Sequence, residues 1–188
     1  EYGMRNITNS KRPINGPDDL KGIKIRTMEN PIHMAAFSVM GADPTPMAFG
    51  ELFTALQQGA IDAQENPLSV ITSSKFNEVQ KYISITEHVY SAAPLMVSKA
   101  AYDALPDDLK AVVDEAGTEA CNWEREYLAE QEKSWLSDLE AAGNEINYPE
   151  KAAFVEATQS VYDQYVGDGA DQVSAELLDK VYEVIGRK

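Results

Sequence analysis

Arg26 closes a short alternating run, Gly22-Ile23-Lys24-Ile25-Arg26, and Gln64-Glu65-Asn66-Pro67 follows a second apolar run downstream. Both runs read as strands that end where a helix begins, the place where an open α/β sheet offers side chains to a ligand crevice. A guanidinium and a side-chain amide at such ends suit one task. Arg grips a carboxylate with two parallel N–H donors, and Asn adds a donor and an acceptor. No nucleophile elbow, metal cluster or phosphate loop accompanies them. The pattern points to binding an organic acid rather than transforming it. Arg26 also admits a reading as a surface ion pair, and Asn66 one as a helix cap, a job compatible with anion contact.

Other residues have chemistry to offer. Arg5 stands in a polar opening segment. Phe49 precedes a helical stretch, where it serves as core or as an aromatic wall. Tyr90, early in a strand, presents a ring to stack and a hydroxyl to hydrogen-bond. His33 and His88 are the only histidines and lack the Cys or Asp spacing of a metal site, so no metal and no cofactor is expected. Cys121, the single cysteine, reads as a small buried core residue, and Trp123 and Trp135 as packing anchors.

Composition narrows the partners. The 188 residues suffice for one large domain or two small lobes, and 44% hydrophobic with 25% charged residues is ordinary globular usage. Sixteen basic against 31 acidic side chains give a formal net charge of -15, which disfavours nucleic acid and anionic membranes. A small anion is not excluded, because exposed charges are screened within about 8 Å at physiological salt. No window approaches the ~20 apolar residues of a membrane span. The opening Glu1-Tyr2-Gly3-Met4-Arg5 reads like the interior of a domain, so a fragment or a chain missing its front is expected.

The elements that must position these residues follow from local signals. Residues 1–17 read as polar and turn-rich, and 18–22 as one helical turn closed by glycine. Ile23–Thr27 reads as a strand. Asn30 caps a helix with Pro31 at its first position, running to Met40 and stopped by Gly41. Residues 43–47, with two prolines, read as an extended connection. A helix over 50–58, a strand over 60–63 and a helix from Pro67 to about Ser74 continue an α/β rhythm. Residues 78–86 and 88–98 read as two strands. From Pro106 to Ala142 only Gly117 interrupts a helical spacing of apolar residues, giving a helix of roughly 50 Å. A short strand over 144–148 and two helices, about 149–166 and 170–186, finish the chain.

Three stretches carry a resemblance: Pro44-Thr45-Pro46-Met47-Ala48-Phe49, Ala55-Leu56-Gln57-Gln58-Gly59, and Asp62-Ala63-Gln64-Glu65-Asn66-Pro67. With Arg5, Asn9-Ser10-Lys11-Arg12-Pro13, Phe76-Asn77-Glu78-Val79-Gln80-Lys81-Tyr82 and Leu105-Pro106-Asp107-Asp108-Leu109, they cover nearly the whole chain. The sequence resembles the periplasmic solute-binding proteins of tripartite ATP-independent periplasmic (TRAP) transporters, the DctP-like family. The resemblance implies that Arg26 pairs with a ligand carboxylate and that Arg5, Phe49 and Asn66 line the cleft. It also implies that Tyr90, in a strand crossing between lobes, contributes a contact, and that Glu29 stands where the ligand-dependent residue varies. Ala63 departs from the glycine usual there, and the family's N-terminal lobe begins before Glu1.

The resulting expectation is an α/β chain with a two-lobed periplasmic-binding-protein fold, mainly one lobe here plus a long bridging helix. Residues 1–90 and 150–188 form the lobe, and 91–149 a strand and helix that bridge to the other lobe. The expected function is an extracytoplasmic, periplasmic receptor. It binds a small organic acid (dicarboxylate, sugar acid or keto acid) and hands it to the membrane subunits of a TRAP transporter. A dimer or a swapped assembly is left open. Two rival readings are an α/β enzyme on an organic acid, with Glu65 or His88 as general base, and a ligand-sensing module for a signalling receptor.

Overall fold

The computed structural model describes residues 1–167, 169 and 173–186. A six-stranded sheet organises it, with strands β1 (Gly3–Asn9), β2 (Lys24–Thr27), β3 (Asp43–Pro46), β4 (Ala63–Pro67), β5 (Tyr82–Ser91) and β6 (Glu145–Asn147) in the order β3-β2-β4-β1-β5-β6. β2 pairs parallel with β3 and β4, and β5 with β6, whereas β1 lies antiparallel between β4 and β5.

Helices cover both faces. On one, α1 (Pro31–Val39) and α6 (Lys151–Ala157) close a core of Ile7, Ile14, Leu20, Ile25, Phe37 and Phe154. On the other, α2 (Phe49–Gln57), α3 (Leu68–Ser73) and the end of α5 (Asp107–Ala141) bury Leu52, Leu56, Ile71, Phe76, Ile83 and Leu139. A short helix, α4 (Lys99–Asp103), precedes α5, and α7 (Gln159–Tyr165) and α8 (Ala175–Val184) end the fold. Asn30 caps α1, its Oδ1 accepting from Ile32 N at 3.0 Å and His33 N at 3.1 Å, with Pro31 at the first helical position.

Several sequence expectations are corrected. The opening segment is not a polar turn region but a central strand, and its buried Asn6, Thr8 and Asn9 are held by side-chain hydrogen bonds. The proline-containing connection is an edge strand. There Asp43 N and Met47 N reach the carbonyls of Ile23 and Thr27, so alternation turns positions 44 and 46 away from β2, where proline lacks nothing. The strand expected over 60–63 lies at Ala63–Pro67. The two strands expected over 78–98 are one bulged strand, β5, and residues 92–98 leave the sheet. The helix expected over 149–166 is broken at Thr158 into α6 and α7; the one expected from 170 begins at Ala175, with 170–172 outside the described residues. Cys121 is only half-buried, and Trp123 is exposed, stacked on Tyr127; Trp135 alone packs on the core.

Candidate functional site

Pairing register builds the site. β2 and β4 run parallel, so their C-terminal ends reach the same edge, and antiparallel β1 brings its first half there. Arg26 pairs with Gln64, Ile7 with Glu65 and Arg5 with Pro67. Strand alternation then sorts the side chains. Glu65 shares a face with Ile7 and Ala63, whereas Arg26, Gln64 and Asn66 point to the opposite one.

Glu65 is fully buried and saturated. Arg5 donates Nε–H to its Oε2 at 2.5 Å and Nη2–H to its Oε1 at 2.8 Å and its backbone carbonyl at 2.6 Å. His88 Nε2 lies 3.1 Å from the same Oε2. A carboxylate only accepts, so Nε2 carries a proton, and Nδ1 lies 2.7 Å from Thr86 Oγ1. Burial raises the affinity of Glu65 for a proton, but the hydrogen bonds from His88 and Arg5 outweigh it and hold the carboxyl below its ordinary 4.5. His33 Nδ1 stands 4.0 Å from Oε1, and burial pushes that imidazole below its ordinary value.

His88 reaches Glu65 because β5 bulges. Arg5 faces Val89 while Ile7 faces Ser84, and inside this irregularity Glu87 adopts φ 45° with its N–H donated to Asn6 Oδ1 at 3.1 Å. The bulge re-aims the side chain that follows it. Lys151 of α6 pairs with Glu87 on the outside.

Arg26 is placed differently. It is 4% exposed and donates Nε–H to Met47 O at 2.9 Å, and its guanidinium carbon sits 5.9 Å from the Phe49 ring centroid. Phe49 in turn meets Phe76 edge-on at 5.8 Å and leaves about half its surface exposed, at 49%. Among the described residues no carboxylate lies within 4.0 Å of Arg26. Burial lowers its proton affinity from the ordinary guanidinium value, and Glu65 and Arg5 act on it with opposite sign. At so high a starting value the guanidinium stays a cation at neutral pH.

Asn66 joins the two arginines' surroundings. Its Oδ1 accepts from Arg5 Nη2 at 3.1 Å, and its Nδ2 donates to Gln64 Oε1 at 2.5 Å; Gln64 Nε2 donates to Thr8 Oγ1 at 2.9 Å. The amide is therefore oriented, and Pro67, not Asn66, is the residue at the start of α3.

Of the residues singled out from sequence, Arg5, Arg26, Asn66 and Phe49 gather at this edge. Tyr90 stands opposite Met4 in the β1/β5 pairing, 53% exposed, and shows no hydrogen bond or ring contact to those four among the described residues. Glu29 is exposed on the connection from β2 to α1. Sequence reasoning assigned Glu65 and His88 to a rival enzyme and did not foresee that Glu65 binds Arg5 and is itself held by His88. The available signal was Gln64-Glu65-Asn66, three polar residues ending a buried strand. A cavity of about 450 Å³ opens elsewhere, among His33, Phe37, His88, Phe154 and Tyr162; Arg26, Asn66 and Phe49 do not line it. No group of three metal-ligating side chains occurs among the described residues.

Residues 1–168 match the family described as bacterial extracellular solute-binding protein, family 7 (DctP). The chain belongs to that family. A "Solute-binding protein" of Verminephrobacter eiseniae is 48% identical over 88% of this chain and 50% of its own length. The 2,3-diketo-L-gulonate-binding periplasmic protein YiaO of Escherichia coli is 41% identical over 98% of this chain and 56% of its own. A crystal structure of a TRAP periplasmic solute-binding protein from Polaromonas, bound to D-erythronate, superposes with a TM-score of 0.82 at 44% identity over 87% of this chain and 55% of that one. The α/β fold is thus of the periplasmic-binding-protein type. The chain spans about half the length of the curated relatives it matches. Among the described residues no helix is long and apolar enough to cross a membrane.

Proposed function

We propose that this chain supplies the carboxylate-anchoring half of a periplasmic solute receptor that delivers an organic acid to the membrane subunits of a TRAP transporter. One observation carries the reading: Arg26 is buried, cationic and without an acidic partner among the described residues, beside an oriented amide and an aromatic wall. Leaving a buried charge uncompensated is costly, so its counter-ion is the ligand. Asn66 orients that ligand, Phe49 bounds it, and Arg5 acts chiefly by holding Asn66. Tyr90 and Glu29 stand further out, where they read the ligand's far end.

The names of the relatives support a sugar acid, since one is named for 2,3-diketo-L-gulonate and another holds D-erythronate. We assign residues 1–90 and 150–188 to the lobe, and 91–149 to the connection with a second lobe that closes over the edge. Closure excludes water and strengthens the ion pair. An enzymatic role for Glu65 is disfavoured, because both its oxygens are engaged and none of it is exposed.

The test is calorimetric titration of the full-length receptor with sugar acids. Arg26→Ala is expected to weaken binding by roughly 100-fold or more, as two charge-assisted hydrogen bonds are lost. Unchanged affinity in the folded variant would refute the role.

A further inference from the structure

Away from the ligand edge, one asparagine differs from every other in the chain: only Asn15 is followed by glycine. The backbone nitrogen after an asparagine can attack the side-chain amide, and a following residue without Cβ leaves that approach open. The other asparagines are poorly set for it. Asn30 and Asn66 precede proline, which has no N–H to lose. Asn9 precedes Ser10 but is fully buried, its Oδ1 accepting from Lys11 N and Arg12 N at 2.9 Å each. Asn6, Asn77, Asn122, Asn144 and Asn147 are each followed by a large side chain.

Asn15 is exposed on the connection from β1 to the helical turn Pro17–Leu20. Among the described residues no backbone acceptor takes the Gly16 N–H. Asn147 of β6 donates its Nδ2–H to Ile14 O at 2.9 Å and to Asn15 Oδ1 at 3.1 Å, and its own Oδ1 accepts from Ser84 Oγ at 2.7 Å. The donor on Asn15 Oδ1 sits where negative charge develops once the amide carbon is attacked.

We propose that Asn15 is a site of self-modification by intramolecular deamidation. The deprotonated Gly16 nitrogen attacks Asn15 Cγ, the Cγ–Nδ2 bond breaks, and ammonia leaves with the proton as a succinimide ring closes. Water then opens the ring at either carbonyl, giving aspartate or isoaspartate. Both products set a new carboxylate near Asp19, whose Oδ2 accepts from Asn15 N at 2.8 Å. Isoaspartate also adds a methylene to the main chain, which displaces Gly16 O from Asp19 N, now 3.1 Å away, and loosens the clamp on Asn147.

The experiment incubates the full-length protein at mildly alkaline pH and follows each asparagine by peptide mass mapping, with enzymatic methylation to report isoaspartate. Asn15 is expected to convert at least about tenfold faster than any other asparagine of this chain, the rate rising with pH. Gly16→Ala is the decisive variant. Gly16 has extended backbone, φ -165° and ψ 177°, and a Cβ there meets nothing within 4 Å, so the fold accepts alanine. Its Cβ is expected to slow conversion of Asn15 at least about tenfold. The purified isoaspartate form is expected to melt a few degrees below the unmodified protein. An Asn15 that stays intact, converts no faster than the other asparagines, or converts equally fast in Gly16→Ala overturns the proposal. An unchanged melting temperature of the isoaspartate form overturns the loosening of the clamp.

Discussion

At the scale of single residues, the energetic centre of the site is Glu65 rather than Arg26. Its carboxylate is the only anionic partner of buried Arg5 among the described residues, and removing one member of a buried pair costs about 3–5 kcal/mol. Glu65→Ala is therefore expected to lower stability by that order, measured by urea unfolding. The pH dependence has a definite sign. Because the folded-state value lies below the ordinary 4.5, Glu65 stabilises the fold fully above that pH and ceases to do so as pH falls through the lower value. The melting temperature is expected to drop below pH 4.5 in the unaltered protein, and the Glu65→Ala profile to be flatter there. An identical acid limb in both would contradict the assignment.

At the scale of elements, α1 shows how local chemistry fixes the site's frame. Asn30 satisfies two of its first N–H groups and sets the helix that carries His33 toward Glu65. Asn30→Ala is expected to cost about 1 kcal/mol, read by thermal or urea denaturation. Such capping was legible in the sequence, as were β2, with Arg26 near its end, and α5, whose 35 residues give a rod of about 52 Å. What the sequence concealed depends on distant partners. β1 looks polar because its buried Asn6, Thr8 and Asn9 find hydrogen bonds only with groups brought from other segments or in local turns, as when Thr8 meets Gln64 and Gln80. β3 hides behind prolines that an edge strand tolerates. The Arg5–Glu65 bond joins residues 60 positions apart, which no local pattern announces. The β5 bulge is likewise a response to the strand beside it, and so His88 could not be aimed from sequence.

At the scale of the whole molecule, apolar surface is unevenly covered. Met96 is 82% exposed, and Leu95, Val97, Val112 and Trp123 are exposed along the segment before α4 and the first half of α5. An apolar strip of this extent seeks cover. The chain alone is expected to self-associate, its sedimentation mass rising with concentration, and Met96→Ser with Val112→Ser to lower that mass. A concentration-independent monomer would count against it. The placement of β1 has a separate outcome for how the molecule comes into being. β1 is wedged between two strands that follow it in the chain by some 55 to 85 residues, so it waits without these neighbours until both are available. Such distant closure is slow. The same event that inserts it also delivers Arg5 to Glu65 and squares up Asn66, so the geometry of the site forms only when this long-range closure is made.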